Sequence, residues 1–406
     1  MSEVERSKTR VKGFSDAEMD FQLIRQLGSS SYGGASVGEC LSTAARIEDG
    51  DPSSWVSEFT KLAEHQENDA LKRAAGAHFI SARDQFLKAC NSYRAAEYYS
   101  YSYEPKHREL GMKSRDCFQE AMKYVGHTFE SIFLPYKEMR LPVYFMAPES
   151  EVKKRKTLLI VSGYDGTLEE EYLMRGRPAI ERDFNIVLFA VPGQMDTLRF
   201  NPDANFEPDL ENPVKLIIDF CANRPEVDPQ RLALLGISFG GYFAVRATAF
   251  ENRIKALIAN SPILNLHDYM TAFGGQDFAK MPEEENFRLE DIPDIPEKFM
   301  SKHDKLMSAN LIKRFGQPTF KDTFEYLREF AVEEAVSNIR CPCLAMAGTG
   351  EGSEPEKQFK SFCQKVSGPV ESYLFTELEG ADTHCQVGNV SYAASVYLDW
   401  LDERFD

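Results

Sequence analysis

One stretch constrains the fold of this chain more than any other: Leu232–Ala244, LALLGISFGGYFA. An apolar run without polar alternation reads as a strand buried on both faces of a sheet. It leads straight into Gly236-Ile237-Ser238-Phe239-Gly240, a G-x-S-x-G pattern followed by Gly241, and an apolar-faced helical segment continues beyond. A serine in that pattern sits on a sharp strand-to-helix turn. Side chains at the flanking positions would collide with neighbouring backbone, which is why glycines surround it. The helix N-terminus favours negative charge developing beside Ser238. Three fixed residues of about 7% abundance each meet by chance roughly once in ten chains of this length. The strand before and the helix after are what make the pattern specific.

From about residue 139 onward the chain repeats the same grammar. Short apolar runs at 141–147, 157–162, 185–191, 231–237, 254–260, 343–348 and 371–377 alternate with helical segments at 213–223, 239–250, 355–366 and 391–403. Such alternation predicts an α/β fold with a mostly parallel sheet. The charged interval 262–337 breaks it, and an insertion of that length usually lies over the strand ends, where ligands bind. The expected organisation is a helical N-terminal domain (1–130), an α/β core in two parts (131–262 and 338–406) and an inserted cap (263–337).

The N-terminal half reads as helices with clear punctuation. Ser15 with Glu18, and Ser36 with Glu39, have capping-box spacing, while Gly28 and Gly50 mark stops. Asp51 and Pro52 predict a cap and a first-turn proline for a helix that buries Trp55, Phe59 and Leu62. Leu71, Ala75, Phe79, Ala82 and Phe86 continue at helical spacing. The tyrosines at 98, 99, 101 and 103 are expected to pack between domains, with a pocket lining as the alternative.

A serine elbow needs a base and an acid, in the chain order serine, acid, histidine for this fold. His384 alone lies after residue 303, in the loop GADTHCQ between the last strand and the last helix. His65, His78, His107 and His127 read as packing or surface residues; His267 and His303 fall in the cap. Glu351 is the first carboxylate after strand 343–348 and the expected partner of the imidazole. Glu354 and Asp382 are its rivals. An oxyanion hole requires two backbone N–H groups: one from Phe239, the other from the loop Ser162-Gly163-Tyr164-Asp165-Gly166-Thr167, with Tyr164 as donor. Asp165 is placed to order that loop. Val191-Pro192-Gly193-Gln194 closes the next strand at the same edge of the sheet.

Composition narrows the partners. With 47 Lys+Arg against 64 Asp+Glu the net charge is −17, which disfavours nucleic acid and anionic lipid surfaces. No run approaches the roughly 18 apolar residues of a membrane helix. The polar opening has no leader-like apolar core, so a cytoplasmic protein is expected. The eight cysteines are scattered, without disulfide-framework or zinc spacing, and read as reduced, packed thiols. No metal or organic cofactor is implied.

The GYDGT loop, VPGQ turn, GISFGG elbow and DTHCQ loop, with the helical half and the insertion, together resemble α/β-hydrolases of the 2,6-dihydroxypseudooxynicotine hydrolase type. The chain is especially similar to fungal members from fusarin- and cytochalasin-type gene clusters. The resemblance covers nearly the whole chain. It implies an α/β-hydrolase fold, a homodimer, Ser238 as nucleophile, His384 as base, and aspartate in many members where this chain has Glu351. It implies a polyketide-derived ketone as substrate, cleaved at a C–C or ester-like bond or closed into a ring by acyl transfer. It also suggests a further carboxylate near the cap, for which Asp268 is the candidate. A general carboxylesterase or thioesterase, and a non-enzymatic interaction protein on a hydrolase fold, are the alternatives.

Overall fold

Eight strands form one sheet in the computed structural model, which describes residues 10–405. They are β1 (Glu130–Tyr136), β2 (Met139–Met146), β3 (Arg155–Val161), β4 (Asn185–Phe189), β5 (Val227–Ile237), β6 (Ala256–Asn260), β7 (Cys343–Gly348) and β8 (Val370–Phe375). Their order is β1-β2-β4-β3-β5-β6-β7-β8. β2 runs antiparallel to both β1 and β4, and β3 to β8 are parallel. Every residue of β3, β4, β6 and β7 is buried. Successive side chains in a strand point to opposite faces, so Leu158 and Ile160 join the core on one side of the sheet, and Leu159 and Val161 that on the other.

The first side is covered by α1 (Ala17–Gly28), α2 (Val37–Ala44), α3 (Pro52–Ala75), α4 (Phe79–Tyr98) and α5 (Pro105–Met122). Phe118 of α5 stacks on Tyr144 of β2 with ring centroids 5.5 Å apart. Beyond β3 come α6 (Leu168–Glu171), a π turn over Tyr172–Gly176 and α7 (Arg177–Ile180). α8 (Met195–Phe200) and α9 (Glu211–Ala222) precede β5, and α10 (Phe239–Phe250) follows it. Between β6 and β7 the chain forms α11 (Leu266–Gly274), α12 (Lys302–Phe315) and α13 (Phe320–Tyr326), linked by short 3₁₀ turns. α14 (Ser353–Lys365) and α15 (Val390–Phe405) complete the chain. The fold is that expected from the alternation of runs: a mostly parallel sheet flanked by helices.

Several local expectations are corrected. β1 was absent from the predicted strands because it is a half-exposed edge strand containing Pro135, and edge strands need neither apolar continuity nor every N–H. The helix expected to run on through residues 70–90 breaks at Gly76. Ala77 takes φ 58° there and the chain reverses, so Leu71 and Phe79 are exposed while Ala82 and Phe86 are buried. The cap of α1 is Asp16, whose carboxylate accepts from Met19 N at 2.8 Å, and not Ser15, whose N–H donates to Asp49. Ser36 stands at the N-cap of α2 without a side-chain capping bond. Asp51 does cap α3, accepting from Ser53 N at 2.8 Å.

All eight cysteines are free thiols. No helix among the described residues is long and apolar enough to cross a membrane. The opening stretch expected to lack a leader core falls largely on residues 1–9, outside the described residues.

Candidate active site

The carboxyl ends of β3, β5, β7 and β8 gather the functional side chains at one edge of the sheet, where α/β folds bind ligands. β5 is extended and buried up to Ile237; Ser238 then turns sharply, at φ 58° and ψ −124°, into α10. A non-glycine residue at positive φ costs free energy and persists only where its surroundings over-determine it. Here Ser238 N donates to Asn260 O at 2.6 Å and Gly241 N donates to Ser238 O at 2.7 Å. The glycines serve close approach. A Cβ at Gly236 would lie 2.1 Å from Gly240 O, and one at Gly240 would lie 2.4 Å from Ser162 O.

His384 occupies the loop after β8, buried, with Nε2 2.8 Å from Ser238 Oγ. Its Nδ1 lies 2.5 Å from Glu351 Oε2. Glu351 is itself fixed: Gly348 N donates to Oε1 at 2.7 Å, and Ser261 Oγ reaches both carboxylate oxygens at 3.0 and 2.9 Å. Of the three carboxylates weighed from sequence, Glu351 meets the imidazole. Glu354 instead pairs with Lys357 and accepts from Gln358 on α14. Asp382 is buried, its carbonyl accepting from Gly350 N at 3.0 Å. Asp268 stands on the first turn of α11, its side chain about half exposed, beside His267; it does not line the cavity at Ser238.

Electrostatics act on the imidazole in opposite directions. Burial disfavours its charged form, while Cys385 and Glu351 favour it, and the balance lies above the ordinary histidine value. Cys385 Sγ donates to Asn260 O at 3.6 Å, and Glu351 stands in direct contact with the imidazole.

The loop after β3 reaches Ser238 from the other side. A Cβ on Gly163 would stand 2.7 Å from Ser238 Cβ and 3.1 Å from Phe239 N. Asp165 pairs with Arg25 of α1 at 3.0 Å, tying this loop to the N-terminal helices. The cavity beside Ser238 measures about 30 Å³; Phe21 and Arg25 of α1, and Met174 and Arg175 of the π turn, help to line it.

Its polar wall was not legible in the sequence. Arg25 reaches Glu170 at 2.5 Å, Arg175 reaches Glu171 at 2.8 Å, and Ser162 Oγ donates to Glu171 at 2.8 Å. Glu169, Glu170 and Glu171 form an acidic run that would pass for a solvated face, yet all three are buried. The one available signal was their place directly after the GYDGT loop.

A mostly parallel sheet with a strained serine between β5 and α10, and a histidine within reach after the last strand, defines an α/β-hydrolase. The chain belongs to the esterase FrsA-like family, whose pattern matches residues 30–285, more than half of it. It is 31% identical to the α/β hydrolase gkaG of Penicillium citrinum, over 95% of this chain and 96% of that one. It is 33% identical to the 20-hydroxy-prefusarin hydrolase of Gibberella moniliformis, over 63% of each chain. Among solved structures, the 2,6-dihydroxy-pseudo-oxynicotine hydrolase shares the fold. Its TM-score is 0.72 at 18% identity, over 93% of this chain and 95% of that one. The resemblance read from the motifs therefore holds for both the fungal hydrolases and the fold.

Proposed function

We propose that the chain is a serine hydrolase acting on a carbonyl of a polyketide-derived secondary-metabolite intermediate. The observation that carries this reading is the hydrogen-bonded line Ser238 Oγ–His384 Nε2 and His384 Nδ1–Glu351. Ser238 Oγ attacks the carbonyl carbon and its proton passes to His384 Nε2. Glu351 holds the tautomer with hydrogen on Nδ1 and stabilises the imidazolium that forms. The carbonyl electron pair becomes an alkoxide facing the N–H groups of Phe239 and Tyr164. Collapse expels an alkoxide from an ester, or an enolate carbon from a ketone, and the leaving group takes the proton from His384. Water then cleaves the acyl-enzyme by the same route; an internal nucleophile in its place closes a ring.

The substrate class draws on the 20-hydroxy-prefusarin hydrolase among the relatives. A cavity of about 30 Å³ holds little more than one water, so a molecule of that size displaces wall side chains such as Phe21 on entry. Labelling tests the nucleophile. A fluorophosphonate is expected to add once per chain, with the adduct mapped to Ser238 by peptide mass spectrometry; an unlabelled protein, or an adduct elsewhere, refutes the assignment.

The family match to esterases favours a second reading, a general carboxylesterase using the same residues. Comparable kcat/KM on short nitrophenyl esters and on complex ketones would support it.

The pH profile carries its own prediction. A general base works only when neutral, and the His384 pKa is raised. Activity is therefore expected to be lost as pH falls through an apparent pKa above the ordinary histidine value of about 6.5. Glu351→Gln removes the charge that favours the imidazolium, so that limb should move to lower pH while the maximal rate falls by roughly 10²–10⁴-fold. An unmoved limb would show that Glu351 does not set the basicity of His384.

A further inference from the structure

Three consecutive carbonyls in the loop after β3 are each gripped by a buried side chain. Gln194 Nε2 donates to Ser162 O at 2.7 Å and to Gly163 O at 2.8 Å, while its Oε1 accepts from Val191 N at 2.8 Å. Arg314, in the last turn of α12, donates through Nη2 to Tyr164 O. Through Nε and Nη2 the same guanidinium reaches Gly193 O at 3.0 and 2.7 Å, and it lies 3.8 Å from the centroid of the Tyr164 ring. Gln194 and Arg314 are 1% and 2% exposed.

The Gly163–Tyr164 peptide is trans, so its C=O and N–H point in opposite directions. Holding Gly163 O against Gln194 therefore aims the Tyr164 N–H away from Gln194. Gly163 itself lies against Ser238 and Phe239, so the orientation of this peptide bears directly on the nucleophile. A primary amide is the side chain suited to the task. It donates two hydrogens to two carbonyls and still offers an oxygen to Val191 N, whereas a carboxylate would set acceptor against acceptor.

We propose that Gln194 and Arg314 are positioning residues for the oxyanion hole. Gln194 sets the direction of the Tyr164 N–H, and Arg314 anchors the same loop to the segment between β6 and β7. The proposal rests on the reading of Tyr164 as an oxyanion donor. It gives the VPGQ turn, whose purpose the sequence left open, a role in the reaction. Preorganised donors are effective because they need no reorganisation as charge develops; a mis-aimed N–H loses that advantage while leaving the ground-state site intact.

The test uses the full-length chain and saturable labelling by a fluorophosphonate, in which Ser238 Oγ attacks phosphorus, fluoride leaves, the serine proton passes to His384 and the phosphoryl oxygen gains charge in the transition state. Gln194→Met keeps length and loses the donors; Arg314→Lys keeps the charge and loses the fork. The limiting labelling rate is expected to fall about 10- to 100-fold in each, less than the roughly 10²–10³-fold attributed to deleting a donor outright. The half-saturating concentration should stay within about twofold. Either variant suffices should the other not fold, as judged by thermal unfolding. A wild-type limiting rate, or a loss confined to half-saturation, overturns the positioning role and leaves Ser238 as nucleophile. Ser238→Ala that still labels would overturn the hydrolase reading, and the proposal with it.

Discussion

Ser238→Ala is expected to lower kcat/KM by roughly four to six powers of ten, with the melting temperature nearly unchanged. The size follows from where the oxygen lies. Ser238 Oγ is the atom that meets His384 Nε2, so removing it deletes the nucleophile and leaves the base without a proton to take. The backbone should tolerate the change. The strained φ of 58° at this position is imposed by the hydrogen bonds of Ser238 N and O, and alanine keeps both, along with the Cβ that packs against Gly163. Residual turnover is expected from binding and the remaining N–H donors alone. Turnover of the native substrate, identified by mass spectrometry of metabolites accumulating when the gene is deleted, provides the measurement. Activity within tenfold of the wild type would refute the nucleophile assignment.

What the sequence made legible follows from burial. β3 to β7 are covered on both faces, so their apolar runs and the turn after β5 stood out without reference to the rest of the chain. β1 is a half-exposed edge strand whose short run Ile132-Phe133-Leu134 is interrupted by Pro135. The meeting place of Ser238, His384 and Glu351 could be reasoned from chain order because parallel strands deliver their following loops to one edge. The wall of the cavity could not. Arg25 and Glu170 are 145 residues apart, and a buried ion pair leaves no periodic trace in either segment. The break at Gly76 was missed for a local reason: apolar spacing continued across it, while the reversal is set by Ala77 in the left-handed region.

A chain beginning at residue 130 should be insoluble or inactive although it retains Ser238, Glu351 and His384. β1 begins there, so no strand is cut; what is lost is the helical cover of one face of the sheet. Arg199, fully buried, bonds Glu97 of α4 at 2.7 Å as well as Glu169 at 3.0 Å and Asp196 at 2.9 Å. Glu170 is matched by Arg25 and by Arg94, at 2.5 and 3.5 Å. Truncation removes Glu97, Arg25 and Arg94 together, leaving Glu170 without either counter-charge and Arg199 with Glu169 and Asp196 alone. Leaving a buried charge without its partner costs about 3–5 kcal/mol, a large share of the roughly 5–15 kcal/mol that holds a whole domain. Apolar surface is uncovered as well: Tyr144 and Tyr172, each 1–2% exposed, pack on Phe118 of α5. Phe21 and Arg25 also leave the cavity wall beside Ser238. Expression of the fragment, size-exclusion chromatography, serine-probe labelling and turnover measure the outcome. A soluble, monodisperse and fully active fragment would show that the charges on Arg199 and Glu170 are satisfied without the helices, and that the pocket needs no wall from α1.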